Sequence, residues 1–169
     1  MAILKILEYP EKFLRRQAQP VENINGDLQQ FIDDMGETMY QAPGIGLAAI
    51  QAGSDRSLLV YDISPPEEGR ALQVLINPRI VEREGGILSE GEGCLSVPEL
   101  RADVKRAEKI LVEGYDRNEK PLRLEAEGLL AIVLQHEIDH LHGVLFLDHL
   151  SSLKRQMYKR RRQKQLKSQ

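Results

Sequence analysis

Gln135-His136-Glu137-Ile138-Asp139-His140-Leu141-His142-Gly143 is the stretch whose reading decides the fold, because it sets H-E-x-x-H inside an apolar run. Residues four apart on a helix lie one above the other, so His136 and His140 project from one face and can hold a single metal ion. Glu137 lies about 100° further round, close enough to serve a water on that metal without ligating it. Just upstream, Leu129-Leu130-Ala131-Ile132-Val133-Leu134 alone would pass for a buried strand. Its continuation to His142, with Gly128 before and Gly143 after, favours a helix that is apolar nearly all round and therefore buried. The alternative is a plain core helix with two satisfied histidines and a solvated carboxylate.

A catalytic tetrahedral metal takes three protein ligands and keeps one position open, and in H-E-x-x-H sites the third usually lies downstream. His149 and Asp148 are candidates, and so is Cys94, the only cysteine. Cys94 lies in Gly91-Glu92-Gly93-Cys94-Leu95-Ser96-Val97-Pro98, read as a loop where glycines let the backbone approach something closely. A lone cysteine is usually a small buried hydrophobe and next to histidines can be a nucleophile. The glycine-rich setting favours a ligand.

Three stretches together carry a family resemblance. Gly44-Ile45-Gly46-Leu47-Ala48-Ala49-Ile50-Gln51, Glu92-Gly93-Cys94-Leu95-Ser96 and Gln135-His136-Glu137-Ile138-Asp139-His140 resemble, in order and separation, the signature motifs of peptide deformylases of the bacterial type. Pro43 stands where relatives often carry an acidic residue, and Ile50 where Pro or Thr is common. The resemblance implies Cys94, His136 and His140 as metal ligands and Glu137 as general acid and base. It implies Gly44, Ile45, Gly46, Glu92, Arg101, Leu129, Ile132 and Val133 around the substrate. It also implies iron(II), with zinc, nickel or cobalt acceptable to the same ligands. The implied substrate is the formyl group on the N-terminal methionine of nascent polypeptides, released as formate.

The chemistry can also be built from the residues. A metal held by two imidazoles and a thiolate lowers the pKa of its water toward roughly 7 and produces hydroxide near neutrality. Attack on a carbonyl builds an oxyanion, for which Gln51 and the backbone N–H of Leu95 are suitable donors. Losing one such donor typically costs about 2.7–4 kcal/mol. Ile132, Val133 and Leu129, one or two turns before His136, form an apolar wall suited to an unbranched side chain. Two rival readings are a zinc endopeptidase with a downstream third ligand, and a structural metal in an RNA-binding module.

At 169 residues, 41% hydrophobic and 29% charged, the chain reads as one catalytic domain over 1–169. No signal peptide or stretch long enough to span a membrane is legible, and one cysteine forms no internal disulfide, so a cytoplasmic enzyme acting as a monomer is expected. Residues 151–169 hold eight Lys or Arg and no acids, so the overall charge of −3 leaves −11 on the rest. With few apolar anchors, this basic helical tail is expected to extend outward, either as a solvated helix or as a contact for ribosomal RNA.

Asn25 or Asp27 caps a helix over roughly 25–42, with Leu28, Phe31, Ile32, Met35 and Met39 as its core stripe. Strands are expected at Ser57–Ile63, Ala71–Ile76, Arg79–Glu82, Ala102–Val104, Lys109–Tyr115 and Pro121–Ala126, with Asn77-Pro78 as a break. Ser64 to Arg70 reads as a polar surface loop. The fold class is α+β: antiparallel sheets wrapped around a central metal-binding helix, with one helix packed outside and a C-terminal one from about Ser151.

Overall fold

The computed structural model describes residues 2–169. Its elements, in chain order, begin with α1 (Gly26–Gln41), β1 (Gly46–Ala48) and β2 (Leu58–Tyr61). Next come β3 (Gln73–Glu84), β4 (Ile87–Cys94), β5 (Val97–Arg106), β6 (Lys109–Tyr115) and β7 (Pro121–Glu127), and last α2 (Leu129–Leu141) and α3 (Ser152–Lys167). The fold is α+β, as the sequence predicts. One sheet runs β1-β2-β3-β6-β7 and a separate ribbon pairs β4 with β5, every ladder antiparallel.

The large sheet is covered on both faces, which explains why β2 reads as an unbroken apolar run. Side chains on a strand alternate faces. Leu58 and Val60 therefore pack against Leu28, Ile32, Met35 and Met39 of α1. Leu59 and Tyr61 join Leu134, Ile138 and Leu141 of α2. Asn25 caps α1, its side chain accepting from Leu28 N at 3.0 Å.

Three expectations need correction. Asn77-Pro78 does not end a strand: β3 runs through it with a register shift between Ile76 and Arg79. The proline is tolerated because the ladder is already interrupted there. Asn77, at φ 52°, clamps Val21 through both its amide oxygen (2.8 Å) and its amide nitrogen (2.9 Å). Opposite it stands Gly114, where a Cβ would come within 2.9 Å of the Ile76 carbonyl oxygen.

The cysteine stretch is not an open loop. β4 extends to Cys94, which pairs with Val97 across a two-residue turn formed by Leu95 and Ser96.

The basic tail does not extend outward. α3 lies against the body, with Tyr158 2% and Arg162 7% exposed. The Tyr158 hydroxyl donates to the Pro98 carbonyl at 2.9 Å, and Arg162 Nε donates to the Tyr9 carbonyl at 2.8 Å. Arg161 reaches the Glu99 carbonyl at 2.7 Å. Few anchors suffice because each satisfies a backbone carbonyl while its apolar stem packs.

The Ser64–Arg70 loop is tied down through Asp62. This carboxylate accepts from Tyr40 Oη (2.6 Å), Ser64 N (2.9 Å), Ser64 Oγ (2.6 Å) and Ala71 N (2.8 Å). Burial pushes its pKa up, but the hydrogen bonds from Ser64, Tyr40 and Ala71 outweigh burial and hold it well below the ordinary 3.8. A depressed folded-state pKa gives stability that is present above the unfolded value and lost as pH falls below it. Asp62→Asn is expected to cost about 1.5–3 kcal/mol at neutral pH. It should also flatten the loss of stability between about pH 4 and about pH 2. Urea unfolding of both proteins across that range checks this; identical acid slopes would show that Asp62 is not among the acid-sensitive groups.

Candidate active site

Three elements converge on one point. α2 brings His136, Glu137 and His140; the end of β4 brings Cys94; a short 3₁₀ turn, Ala49–Ala52, brings Gln51. α2 is fixed in rotation by Gln135, whose side chain accepts from Ala107 N (2.9 Å) and donates to Ala107 O (2.8 Å).

One ligand-type atom each from Cys94, His136 and His140 lie within 4.8 Å of one another. Cys94 Sγ stands 3.3 Å from His140 Nε2 and also accepts from Ser96 N at 3.4 Å. His136 Nδ1 donates to Glu92 Oε1 at 2.7 Å, which leaves Nε2 with its lone pair facing the group. Among the described residues two buried side-chain atoms have no partner, Glu137 Oε1 and His140 Nδ1. A soft thiolate with two imidazoles suits a borderline transition metal, and an orphaned carboxylate oxygen beside it is what a metal-adjacent water would satisfy. The residues present therefore fit a metal ion.

The electrostatics are set by burial. Glu137 is pushed up to about 7 by desolvation, which the neighbouring His136 only partly offsets. Burial also works to raise Glu92, but its hydrogen bonds to His136 and Arg106 overcome this and bring it to about 2. Burial and the nearby His136 hold His140 well below the ordinary histidine value, so its imidazole is neutral. His136 is driven the other way, mainly by the carboxylate of Glu137 acting against desolvation. Surroundings that favour a proton at His136 favour a metal cation in its place as well.

Sequence reasoning misses Arg106 and the part Asp139 plays. Arg106, its side chain 3% exposed, pairs with Glu92 and donates to Asp139 Oδ2 at 2.9 Å. Alternation along β5 is the available signal: Arg106 follows Val104 by two and shares its inward face, so a buried guanidinium there needs buried carboxylates. Glu92, expected to touch substrate, has its oxygens engaged by Arg106 and His136. His149 lies on Asp139 at 2.9 Å, and Asp148 pairs with Arg15 and accepts from Leu145 N. Neither joins the ligand group, so the downstream third ligand of an endopeptidase is not formed.

Gln51 is 1% exposed; its oxygen accepts from Ala48 N (2.9 Å) and its amide nitrogen donates to Ser96 Oγ (3.0 Å), 3.7 Å from Cys94 Sγ. A cleft of about 500 Å³ opens over this group. Gly44, Ile45, Gly46, Leu95 and Arg101 line one part of it, and Leu129, Ile132 and Val133 of α2 another. Ile45 and Leu129 are about half exposed at its rim, while Val133 is buried.

The fold and site define a class: an α+β hydrolase with a Cys/His/His group beside a buried carboxylate at the floor of a cleft. The chain matches the polypeptide deformylase family over residues 3–156. It is 56% identical over 167 residues to the peptide deformylase of Desulfosudis oleivorans, covering 99% of this chain and 96% of that one. It is 53% identical to that of Thermodesulfovibrio yellowstonii, covering 95% and 97%. Among solved structures, a Legionella pneumophila peptide deformylase aligns with a TM-score of 0.90 at 48% identity, covering 99% of each chain. A Synechococcus elongatus one in complex with actinonin aligns at 0.87 and 42%, covering 94% of this chain and 87% of that one. The chain belongs to the peptide deformylase family and is an enzyme.

Gly46 packs so closely on Glu137 that a Cβ there would lie 2.6 Å from Oε2 and 2.9 Å from Cγ. Gly46→Ala is expected to fold but to displace the carboxylate, lowering kcat by about tenfold or more with a smaller change in KM. Steady-state kinetics with a formyl-Met peptide check this; an unchanged kcat would mean that the position of Glu137 is not critical.

Proposed function

We propose that the enzyme removes the formyl group from the N-terminal methionine of newly made polypeptides by metal-assisted hydrolysis, with Cys94, His136 and His140 holding the ion. The observation that carries this is the meeting of those three side chains with the unpartnered oxygen of Glu137 at the floor of the cleft. The ligand set supports iron(II) as the native metal, and zinc, nickel or cobalt suit the same donors in purified protein. When bound, the ion supplies Lewis acidity, acidifying a water and polarising a carbonyl.

The protein's own groups do the rest. Glu137, pushed up to about 7, is suited to take a proton from water near neutrality and to return it to the departing amine. Oxygen adds to the formyl carbon, the C–N bond breaks, and formate and a free amino terminus result. The second amide hydrogen of Gln51 and the N–H of Leu95 are the proposed donors to the oxyanion. Ile132, Val133 and Leu129 would receive the methionine side chain, and the Gly44–Gly46 segment with Arg101 the backbone that follows. Glu92 serves by orienting His136, with Arg106 fixing Glu92.

We infer a single catalytic domain over residues 1–169, acting as a monomer. Among the described residues no helix is long and apolar enough to cross a membrane, and we infer a cytoplasmic enzyme, where polypeptides emerge. Arg155, Lys159 and Lys167 of α3 are exposed and are proposed to contact ribosomal RNA. Co-sedimentation with ribosomes should fall steeply with salt; salt-independent pelleting would remove that contact.

Metal content and formate release, measured together, test the mechanism. Glu137→Gln should retain one metal equivalent and lose at least a hundredfold in kcat. Cys94→Ser should lose most of its metal, since a hydroxyl is a poor replacement for thiolate. A Cys94→Ser protein with full metal and no turnover would make Cys94 a nucleophile, and a Glu137→Gln protein within tenfold of wild type would remove Glu137 as base.

A further inference from the structure

A second groove, of about 650 Å³, runs between β5 and α3. Leu100, Leu150 and Met157 give it an apolar lining, and Met157 is 61% exposed. Arg101, Lys154, Arg160, Arg161 and Lys164 surround it, against one carboxylate, Asp103. Among the described residues none of these five cations pairs with a carboxylate side chain. Asp103 already accepts from Gly91 N at 2.9 Å. The groove therefore presents uncompensated positive charge over apolar surface.

Its position gives this a direction. Leu100 and Arg101 line both the groove and the catalytic cleft, so the two adjoin at β5. An extended chain advances about 3.3 Å per residue, so a polypeptide with its methionine in the cleft and its backbone running past Arg101 would come beside α3 within its next several residues.

We propose that this groove is a downstream subsite for the polypeptide substrate and selects chains carrying acidic residues at those positions. This rests on the cleft being the site of deformylation. The apolar lining suits side chains better than a phosphate backbone, and Arg155, Lys159 and Lys167 lie outside the groove, which separates this surface from the proposed RNA contact. Exposed charges attract weakly one at a time and sum along a track, so the preference is moderate and sensitive to salt.

The test compares kcat/KM for formyl-Met decapeptides in which a block of aspartates, or of lysines, is moved stepwise along a neutral sequence. Wild type is expected to favour aspartate over lysine by about three- to tenfold at low salt, most strongly at one block position, and to lose the preference at high salt. Replacing Lys154, Arg160 and Lys164 together with Glu should reverse the preference, and with Gln should abolish it. The ratio is taken within each enzyme, so it is independent of that enzyme's overall activity. Equal kcat/KM for both series in wild type, or a preference unchanged in the Glu variant, overturns the proposal. So does a single-stranded RNA oligonucleotide that binds wild type and not the Glu variant while the peptides show no charge preference; the groove is then a nucleic-acid surface. Wild type that releases no formate from a formyl-Met tripeptide fails one step earlier, on the reading of the cleft itself.

Discussion

The buried pair of Glu92 with Arg106 is the interaction on which the rest depends. α2 carries two imidazoles and a carboxylate into a region with almost no solvent, and each of those groups is costly there unless something compensates it. Glu92 accepts a hydrogen bond from His136 Nδ1; Arg106 neutralises Glu92 and spans to Asp139, one residue before His140. The ribbon and the helix are thus joined by charge beside the place where Cys94 meets His140. Replacing either member with an apolar residue would leave the other buried without its nearest counter-charge, Glu92 with His136 and Arg106 with Asp139 as remaining partners, and breaking a buried pair costs up to about 3–5 kcal/mol. The pair also sets the tautomer of His136, through the hydrogen bond that Glu92 accepts from Nδ1.

Much of this was legible because the decisive features are local. Two imidazoles four residues apart on one face, with a carboxylate between them, need nothing but helical geometry, and Asn25, Gly128 and Gly143 mark helix ends by ordinary cap chemistry. Motif resemblance added Cys94 and the substrate, which periodicity alone leaves among alternatives. What was not legible depends on partners far apart in the chain. Arg106 meets Glu92 across 14 residues and Asp139 across 33, and no local pattern pairs them. Asn77-Pro78 reads as a break because proline lacks a donor; the bulge that accommodates it requires Gly114 on another strand.

The C-terminal helix shows the same limit from the other side. Its polar composition argues for a free helix when burial is counted by apolar residues. Tyr158 and Arg162 dock instead by donating to carbonyls of Pro98 and Tyr9, whose positions only the folded body defines. Hydropathy does not register a side chain recruited to satisfy backbone acceptors.

The placement of Cys94 has a consequence for maturation. The sulfur is separated from His140 by 46 residues, and it comes within reach only when a hairpin has closed against a helix made later in the chain. The helical pair by itself offers two donors in any partly folded ensemble and would hold a cation weakly. Were the proposed ion bound, the third donor would arrive only with tertiary structure, so tight capture would report completed folding and by mass action the ion would resist reopening of the ribbon. Such an ion would tie the hairpin turn at Leu95 and Ser96 to the helix, linking two parts of the chain that nothing in the local sequence joins.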